Sequence, residues 1–301
     1  MKNSYRLCWT IVYLVVTLSS GRADLGFGAE AADGQAPSKS LVSLLGSESI
    51  PFELSAGFLI VVKGRIGPVR DLRFALDTGT RLTVVDRKIA KKLRLQRHGE
   101  RVFAFDRILA AESAVIPDIE FASRHVANLP VTVMDLAQYS ELAHNVDALI
   151  GLDLLRLSSF TIDFEAGKVS FGPLEERAAP PEMAASVLCL SIELDHQPVR
   201  LIIDTGVETT ILFQDRILKK IPRLRFTEVS GYVRIGRFRG KKVSLPEAVV
   251  GPKATGLTAL LVEGPPSREL LPGVDGYLAL ESLKARRVEF DFANLRLRWE
   301  N

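Results

Sequence analysis

Asp-Thr-Gly occurs twice in the 301-residue chain, each time at the end of an apolar run: Phe74-Ala75-Leu76-Asp77-Thr78-Gly79 and Ile202-Ile203-Asp204-Thr205-Gly206. At average residue usage a given tripeptide of this kind is expected roughly 0.06 times in a chain this long. Two copies in matched settings therefore point to a common purpose. A buried strand that ends in an acid, a hydroxyl and a glycine aims a carboxylate out of a tight turn, and glycine has no Cβ to obstruct the bend. Two carboxylates held about 3 Å apart cannot both ionise, so the pair shares a proton. The ionised member takes a proton from water, which attacks a carbonyl, while the protonated member supports the developing oxyanion. The titration of such a dyad belongs to the pair rather than to either residue. This chemistry calls for no metal and no cofactor, and none is expected.

Both triplets sit in a longer repeat. After the first come Val146-Asp147-Ala148-Leu149-Ile150-Gly151-Leu152-Asp153-Leu154-Leu155 and the apolar residues 160–164. After the second come Val274-Asp275-Gly276-Tyr277-Leu278-Ala279-Leu280-Glu281-Ser282-Leu283 and residues 288–292. The offset is 127 between Asp77 and Asp204, then 128 between Asp147 and Asp275 and between Asp163 and Asp291. Two halves in near-constant register are an internal duplication.

The elements that must hold the triplets read as short strands. Residues 58–62 and 69–76 flank Gly64 and Gly67, a hairpin signal. Further strands are expected at 83–85, 101–105, 114–121, 130–134, 160–164 and 168–171, with short helices at 89–95 and 152–155. The second half repeats this order, with strands at 187–194, 199–203, 211–212, 231–235, 242–245, 257–262, 288–292 and 295–299, and helical character at 280–283. Many short strands with sparse helix give a mainly β protein, and the repeat divides it into two similar lobes. The boundaries follow: a leader at 24–49, a first lobe at 50–172, a Pro- and Ala-rich linker at 173–186 and a second lobe at 187–301.

With these residues in place, the chain resembles the retropepsin-like aspartic proteases, in the duplicated single-chain form that pepsin-like enzymes also take. The resemblance spans roughly residues 50–300 and rests on 74–79 with Leu149-Ile150-Gly151, and on 201–206. Bacterial secreted proteins with such domains are the nearest type. It implies that Asp77 and Asp204 form a catalytic pair, supported by Thr78, Gly79, Thr80, Thr205, Gly206 and Gly151. It implies a cleft between the two lobes, peptide or unfolded protein as substrate, and a hairpin flap over the cleft. Candidate flaps are residues 98–107, with Phe103 and Phe105, and residues 230–240, with Tyr232. Two positions depart from the pattern. Ala279 stands where the first half has Gly151, and Val207 stands where Thr80 follows the first triplet. They set an alternative beside an active endopeptidase: an inactive protein that binds peptide in the same cleft.

The N-terminus carries an address. Lys2 and Arg6 precede an apolar run from Leu7 to Leu18, and Ser19-Ser20-Gly21-Arg22-Ala23 follows. This order describes a signal peptide over residues 1–23, cleaved after Ala23, and an exported protein that is periplasmic or secreted. Twelve apolar residues fall short of the roughly 20 that a spanning helix needs, so no stable membrane span is expected after cleavage. Removal takes three of the 39 Lys and Arg and none of the 36 Asp and Glu. The mature chain is formally neutral, which argues against nucleic acid as a partner.

Cys189 then remains as a single thiol in an apolar run, read as a small core residue. His98, His125, His144 and His196 have no zinc-ligand spacing. Asp153, Asp163 and Asp291 read as capping and turn residues. The basic residues Arg234, Arg237, Arg239, Lys241 and Lys242 read as a solvated hairpin face. A monomer whose lobes pair within one molecule is expected.

Overall fold

The computed structural model describes residues 2–6, 8–11, 48–104, 107–122, 124–139, 145–172, 186–235, 238–250, 256–262, 271–292 and 296–301. Nearly all of the leader and linker, together with Phe105 and His144, lie outside the described residues.

The first lobe is an eight-stranded sheet. It contains β4 (Glu53–Ser55), β5 (Leu59–Ile66), β6 (Val69–Leu76), β7 (Val84–Asp86), β8 (Arg97–Ala104), β9 (Arg107–Phe121), β10 (Arg124–Met134) and β11 (Ala148–Ile150). Its spatial order is β4-β5-β6-β11-β7-β10-β9-β8, and a further β5–β9 pairing draws its two sides together. The second lobe uses β14 (Ser186–Leu194), β15 (Gln197–Asp204), β16 (Thr210–Phe213), β17 (Thr227–Ile235), β18 (Phe238–Leu245), β19 (Leu257–Val262) and β20 (Gly276–Ala279). The strands that carry the triplets, β6 and β15, pair in parallel with β11 and β20. Buried on both faces, these strands read as continuous apolar runs rather than as an alternation.

A six-stranded sheet joins the lobes. At its centre β12 (Phe160–Asp163) lies antiparallel to β21 (Arg287–Asp291), with Phe160 opposite Phe290 and Ile162 opposite Val288. Shifting either pair by 128 residues gives the other, so the register of this sheet follows the offset of the repeated blocks in the sequence. The rings of Phe160 and Phe290 stack across it at 4.6 Å. One continuous core runs through this sheet from Phe74 and Ile150 to Leu201, Leu278 and Trp299.

Strands are longer than the sequence pattern alone suggests. β8 begins at Arg97 and β9 at Arg107, because exposed ladder residues carry no apolar signal. Gly64 lies within β5 rather than in the turn, and a methyl there would meet the Phe74 ring at 2.2 Å. The turn itself falls at Gly67, whose φ is +52°. Two short helices at Leu136–Tyr139 and Gln214–Lys220 were not expected. Residues 280–283 form a 3₁₀ turn. The first lobe starts slightly earlier than the composition suggests, since β3 (Glu48–Pro51) enters the six-stranded sheet against β13 (Lys168–Phe171).

The N-terminal residues also enter the sheets. β1 (Lys2–Arg6) pairs with β22 (Arg296–Glu300), and β2 (Cys8–Ile11) pairs with β14. They repeat β3 and β4: Pro51 faces Lys168 as Arg6 faces Arg296, and Glu53 faces Val61 as Cys8 faces Cys189. Both strands occupy sheet edges. Removal of residues 1–23 would open those edges and leave the order of the remaining strands unchanged.

Candidate active site

Each triplet leaves its strand at the same point of a crossed arrangement. The Thr78 amide donates to Thr205 Oγ1 at 3.0 Å, and the Thr205 amide donates to Thr78 Oγ1 at 3.2 Å. Each hydroxyl donates onward to a main-chain oxygen of the opposite lobe, Thr78 to Ile203 at 2.8 Å and Thr205 to Leu76 at 2.6 Å. Three buried polar groups on each side, an amide, a hydroxyl and a carbonyl, are thus satisfied by the other lobe. Threonine meets this need because its hydroxyl donates and accepts at once.

The crossed threonines bring Asp77 and Asp204 face to face, and the two carboxyl groups share a hydrogen bond. Both residues are buried, 8% and 3% exposed. A methyl on Gly79 would lie 2.3 Å from the Asp204 carboxyl carbon, and one on Gly206 would lie 3.0 Å from that of Asp77. Glycine after threonine is therefore required by the opposite lobe's carboxylate; neither Gly79 nor Gly206 has a positive φ, so the turn itself does not demand it. Local sequence pointed to the turn and could not show the carboxylate.

The two carboxylates are supported unequally. Asp77 Oδ1 accepts from the Gly79 amide at 2.9 Å and the Thr80 amide at 3.1 Å, and Oδ2 accepts from Thr80 Oγ1 at 2.7 Å. Asp204 accepts from the Gly206 amide at 2.7 Å. Val207 offers no hydroxyl where Thr80 does. Burial raises the pKa of both groups. For Asp77 the rise is opposed chiefly by the Thr80 hydroxyl and then by the Gly79 amide. For Asp204, burial is reinforced by the neighbouring charge of Asp77, and the group stands well above the ordinary range. The three donors on Asp77 favour its ionised form, and the single donor on Asp204 leaves that side the better place for the shared proton.

Behind the triplets, the second block of the repeat anchors each lobe in the same way. The Arg73 amide donates to Asp147 and the Arg200 amide to Asp275, both at 2.8 Å. Each acid also meets a lysine, Lys88 at 3.2 Å and Lys220 at 2.6 Å. The repeat placed these acids in matched positions, but a partner 75 residues away leaves no local signal.

Gly151 packs where a methyl would come 2.7 Å from the Leu82 carbonyl carbon and 3.0 Å from Thr80 O. In the second lobe Ala279 sits at this place in regular register with Asp204. Its amide donates to Thr210 Oγ1 at 3.1 Å, as the Gly151 amide does to Thr83 Oγ1 at 3.3 Å. The first lobe ties its loop to the following helix through Leu152 N to Thr80 O (2.8 Å) and Asp153 N to Arg81 O (2.9 Å). The second lobe has no counterpart to these bonds among the described residues, and that slack accommodates the methyl.

The acids read as turn residues divide. Asp163 accepts from Ala166 N in its hairpin, and Asp291 pairs with Arg298 at 3.0 Å. Asp153 instead braces Thr83 through two bonds, and burial lifts it to about 6, against the pull of the Thr83 and Leu154 bonds and of Arg156. Of the candidate flaps, β8–β9 and β17–β18 form hairpins closing at Ala104–Arg107 and Ile235–Phe238. Phe105 and the side chains of Phe103 and Tyr232 lie outside the described residues. Cys189 is buried in the second-lobe cluster. Among the described residues, no three or more of His, Cys, Asp and Glu come together as metal ligands would.

These shifts fix a pH dependence of stability. Asp153, Asp77 and Asp204 all have folded-state pKa values raised above the unfolded value near 3.9. Between the two values the folded state binds more protons, so stability is fullest below pH 4 and falls as pH rises. For Asp153 that window runs from about pH 4 to about 6. Urea unfolding at pH 4 and pH 7 is expected to show this loss, smaller in Asp153→Asn than in the wild type by about 2 kcal/mol. An equal loss in both proteins would show that Asp153 is not the titrating group.

Residues 62–154 match the family model described as aspartyl protease. The match includes Asp77 and ends at the short helix after Gly151. Among solved structures, the chain is similar to an aspartic proteinase from Irpex lacteus, at 14% identity and TM-score 0.47, over 85% of this chain and 97% of that one. It is similar also to a protein designated edgp, at 12% identity and TM-score 0.45, over 85% of this chain and 95% of that one. No curated protein matches it. Residues 62–154 of the first lobe thus carry the aspartyl protease pattern, and the second lobe repeats its Asp-Thr-Gly triplet.

Proposed function

We propose that this protein is an exported aspartic endopeptidase that hydrolyses peptide bonds with water activated between Asp77 and Asp204. The observation that carries this reading is the buried, hydrogen-bonded pair of carboxyls, one from each lobe. The reaction follows from its asymmetry. Ionised Asp77 takes a proton from water, the oxygen attacks the peptide carbonyl carbon, and Asp204 gives its proton to the carbonyl oxygen. Asp204 then recovers a proton from one hydroxyl of the resulting gem-diol as the C–N bond breaks. Asp77 delivers its proton to the departing nitrogen. The dyad returns with one shared proton and no cofactor is consumed. The signal-like residues 1–23 support export, and the β8–β9 and β17–β18 hairpins are the candidate flaps.

The test is cleavage of an unfolded protein by the full chain and by purified residues 24–301 across pH 3–7, beside Asp204→Asn. Cleavage that the substitution abolishes supports the endopeptidase. No cleavage by any folded form supports a peptide-binding protein with the same cleft.

A second experiment reads the asymmetry. Val207→Thr returns a hydroxyl to the Asp204 side, where it donates to the ionised form and lowers that carboxyl's pKa. The alkaline limb of the kcat/KM profile is expected to move down by about 0.5–1 pH unit. A limb that stays in place would mean that the missing hydroxyl does not set the proton's position.

A further inference from the structure

Asp153, behind the dyad in the first lobe, is a buried titratable group that the reaction does not use. Asp153 Oδ2 accepts from the Thr83 amide at 3.0 Å, and Oδ1 accepts from Thr83 Oγ1 at 2.9 Å and from Leu154 N at 3.0 Å. Because the Thr83 hydroxyl donates to Asp153, its oxygen is free to accept from Gly151 N. Along the same seam Leu152 N holds Thr80 O, Asp153 N holds Arg81 O, and Asp77 N holds Ile150 O at 3.0 Å. Residues 77–83 are thereby zipped to 150–153. Thr80, held in this seam, supplies two of the three donors to Asp77.

The second lobe differs at this point. Thr210 occupies the place of Thr83, but its hydroxyl meets Ser282 Oγ at 2.7 Å. Neither partner there is ionisable. The brace on Asp77 can gain or lose a proton, and the brace on Asp204 cannot.

We propose that Asp153 is a positioning residue for the dyad, a proton-sensitive brace that holds the Thr80 donors on Asp77 through Thr83 and the 150–153 segment. This rests on the assignment of Asp77 and Asp204 as the reacting pair. Ionised Asp153 accepts all three of its hydrogen bonds. A proton on either oxygen sets a donor against a donor, since Thr83 N, Thr83 Oγ1 and Leu154 N already point at the carboxylate. The Thr83 hydroxyl must then turn, and the oxygen that received Gly151 N is disturbed. The charged groups acting on Asp153 are Arg156 directly and Arg81 through Arg156. Both keep their charge across the working range, so the switch belongs to Asp153.

Two readouts test this on the full chain. The first needs no turnover: backbone amide NMR of Thr83, Gly79 and Thr80 from pH 4 to pH 8, in the wild type and in Asp153→Asn. The Thr83 amide touches Asp153 and is expected to titrate with a midpoint near 6. Gly79 and Thr80 are expected to show the same step, and to lose it in Asp153→Asn while keeping the step of the dyad itself. Should Asp153→Asn not fold, Thr83→Val cuts the same link and is expected to remove the step from Gly79 and Thr80.

The second readout is turnover. Asp153→Asn is expected to lower kcat about tenfold, with KM within about twofold and the inflection near pH 6 gone, because the loss is one of alignment. Gly79 and Thr80 curves that are unchanged by the substitution would overturn the proposal, as would an unchanged pH profile. A wild type that titrates as described but cleaves nothing would leave the brace standing and remove the protease reading.

Discussion

Asp204→Asn is expected to lower kcat/KM for peptide cleavage by at least about 10³-fold, because it removes the proton that the oxyanion receives. The same substitution is expected to raise stability at pH 7. Asp204 is held well above the ordinary carboxylate range by burial and by the Asp77 charge. A group with a raised folded pKa opposes folding above that pKa. Asparagine is neutral at every pH and can still donate to Asp77, so the opposition disappears and Asp77 keeps a partner. A gain of about 1–2 kcal/mol at pH 7 that vanishes near pH 4 is the expected pattern. Denaturant melts at both pH values check it beside the cleavage assay. Loss of activity with loss of stability at both pH values would mean that the variant had failed to fold, and the dyad would then need Asp77→Asn to test it. Cleavage retained by a folded Asp204→Asn would place catalysis elsewhere.

The second large effect concerns the crossed threonines. Thr205→Val removes the acceptor for the Thr78 amide and the donor for Leu76 O. Both groups are buried between lobes, and leaving them unpaired is expected to cost about 2–4 kcal/mol. The reciprocal Thr78→Val strands the Thr205 amide and Ile203 O. The two substitutions strand different groups, so the double variant is expected to lose about the sum of the two. Thr205→Ser keeps the hydroxyl and is expected to stay within about 1 kcal/mol of the wild type. Activity is expected to follow: a lobe shift of about 1 Å separates two carboxyls that must share one proton, with a loss of about 100-fold. Urea unfolding and kcat measured on the four variants and the wild type decide the matter. A double variant that loses no more than one single variant would show that removing either threonine already breaks the bonds of the other.

These expectations differ in how far ahead of the structure they could be drawn. The triplets, the near-constant offset and the apolar runs lie along the chain, and strand periodicity is a property of neighbouring residues. From them came two similar β lobes and Asp77 and Asp204 as the candidate pair; the family resemblance gave Thr78 and Thr205 only as support for the loops, and their crossed bonds came from the structure. The turn at Gly67 and the short helix at 152–155 were legible for the same reason. The helix at Gln214–Lys220 was not, because β-branched and apolar neighbours mask its short amphipathic face.

What the chain order could not state is which groups meet. Ala279 looked like a methyl too many, yet the second lobe accommodates it by leaving its loop less tightly joined to the following turn. Asp153 looked like a capping residue, yet its partner is the hydroxyl of Thr83, 70 residues earlier. Asp147 and Asp275 were matched letters in a repeat until they were seen to hold Arg73 and Arg200. Residues 2–11 read as an address, and their pairing along the second-lobe edges in the image of 48–55 has no trace in their composition. By itself the sequence determined the residue types, the two matched Asp-Thr-Gly triplets with their near-constant offset, and the strand-rich class, since these depend on local pattern. Tertiary structure alone decided the unequal support of the two carboxyls and the brace behind one of them. Those depend on donors and acceptors brought within 3 Å from positions far apart in the chain.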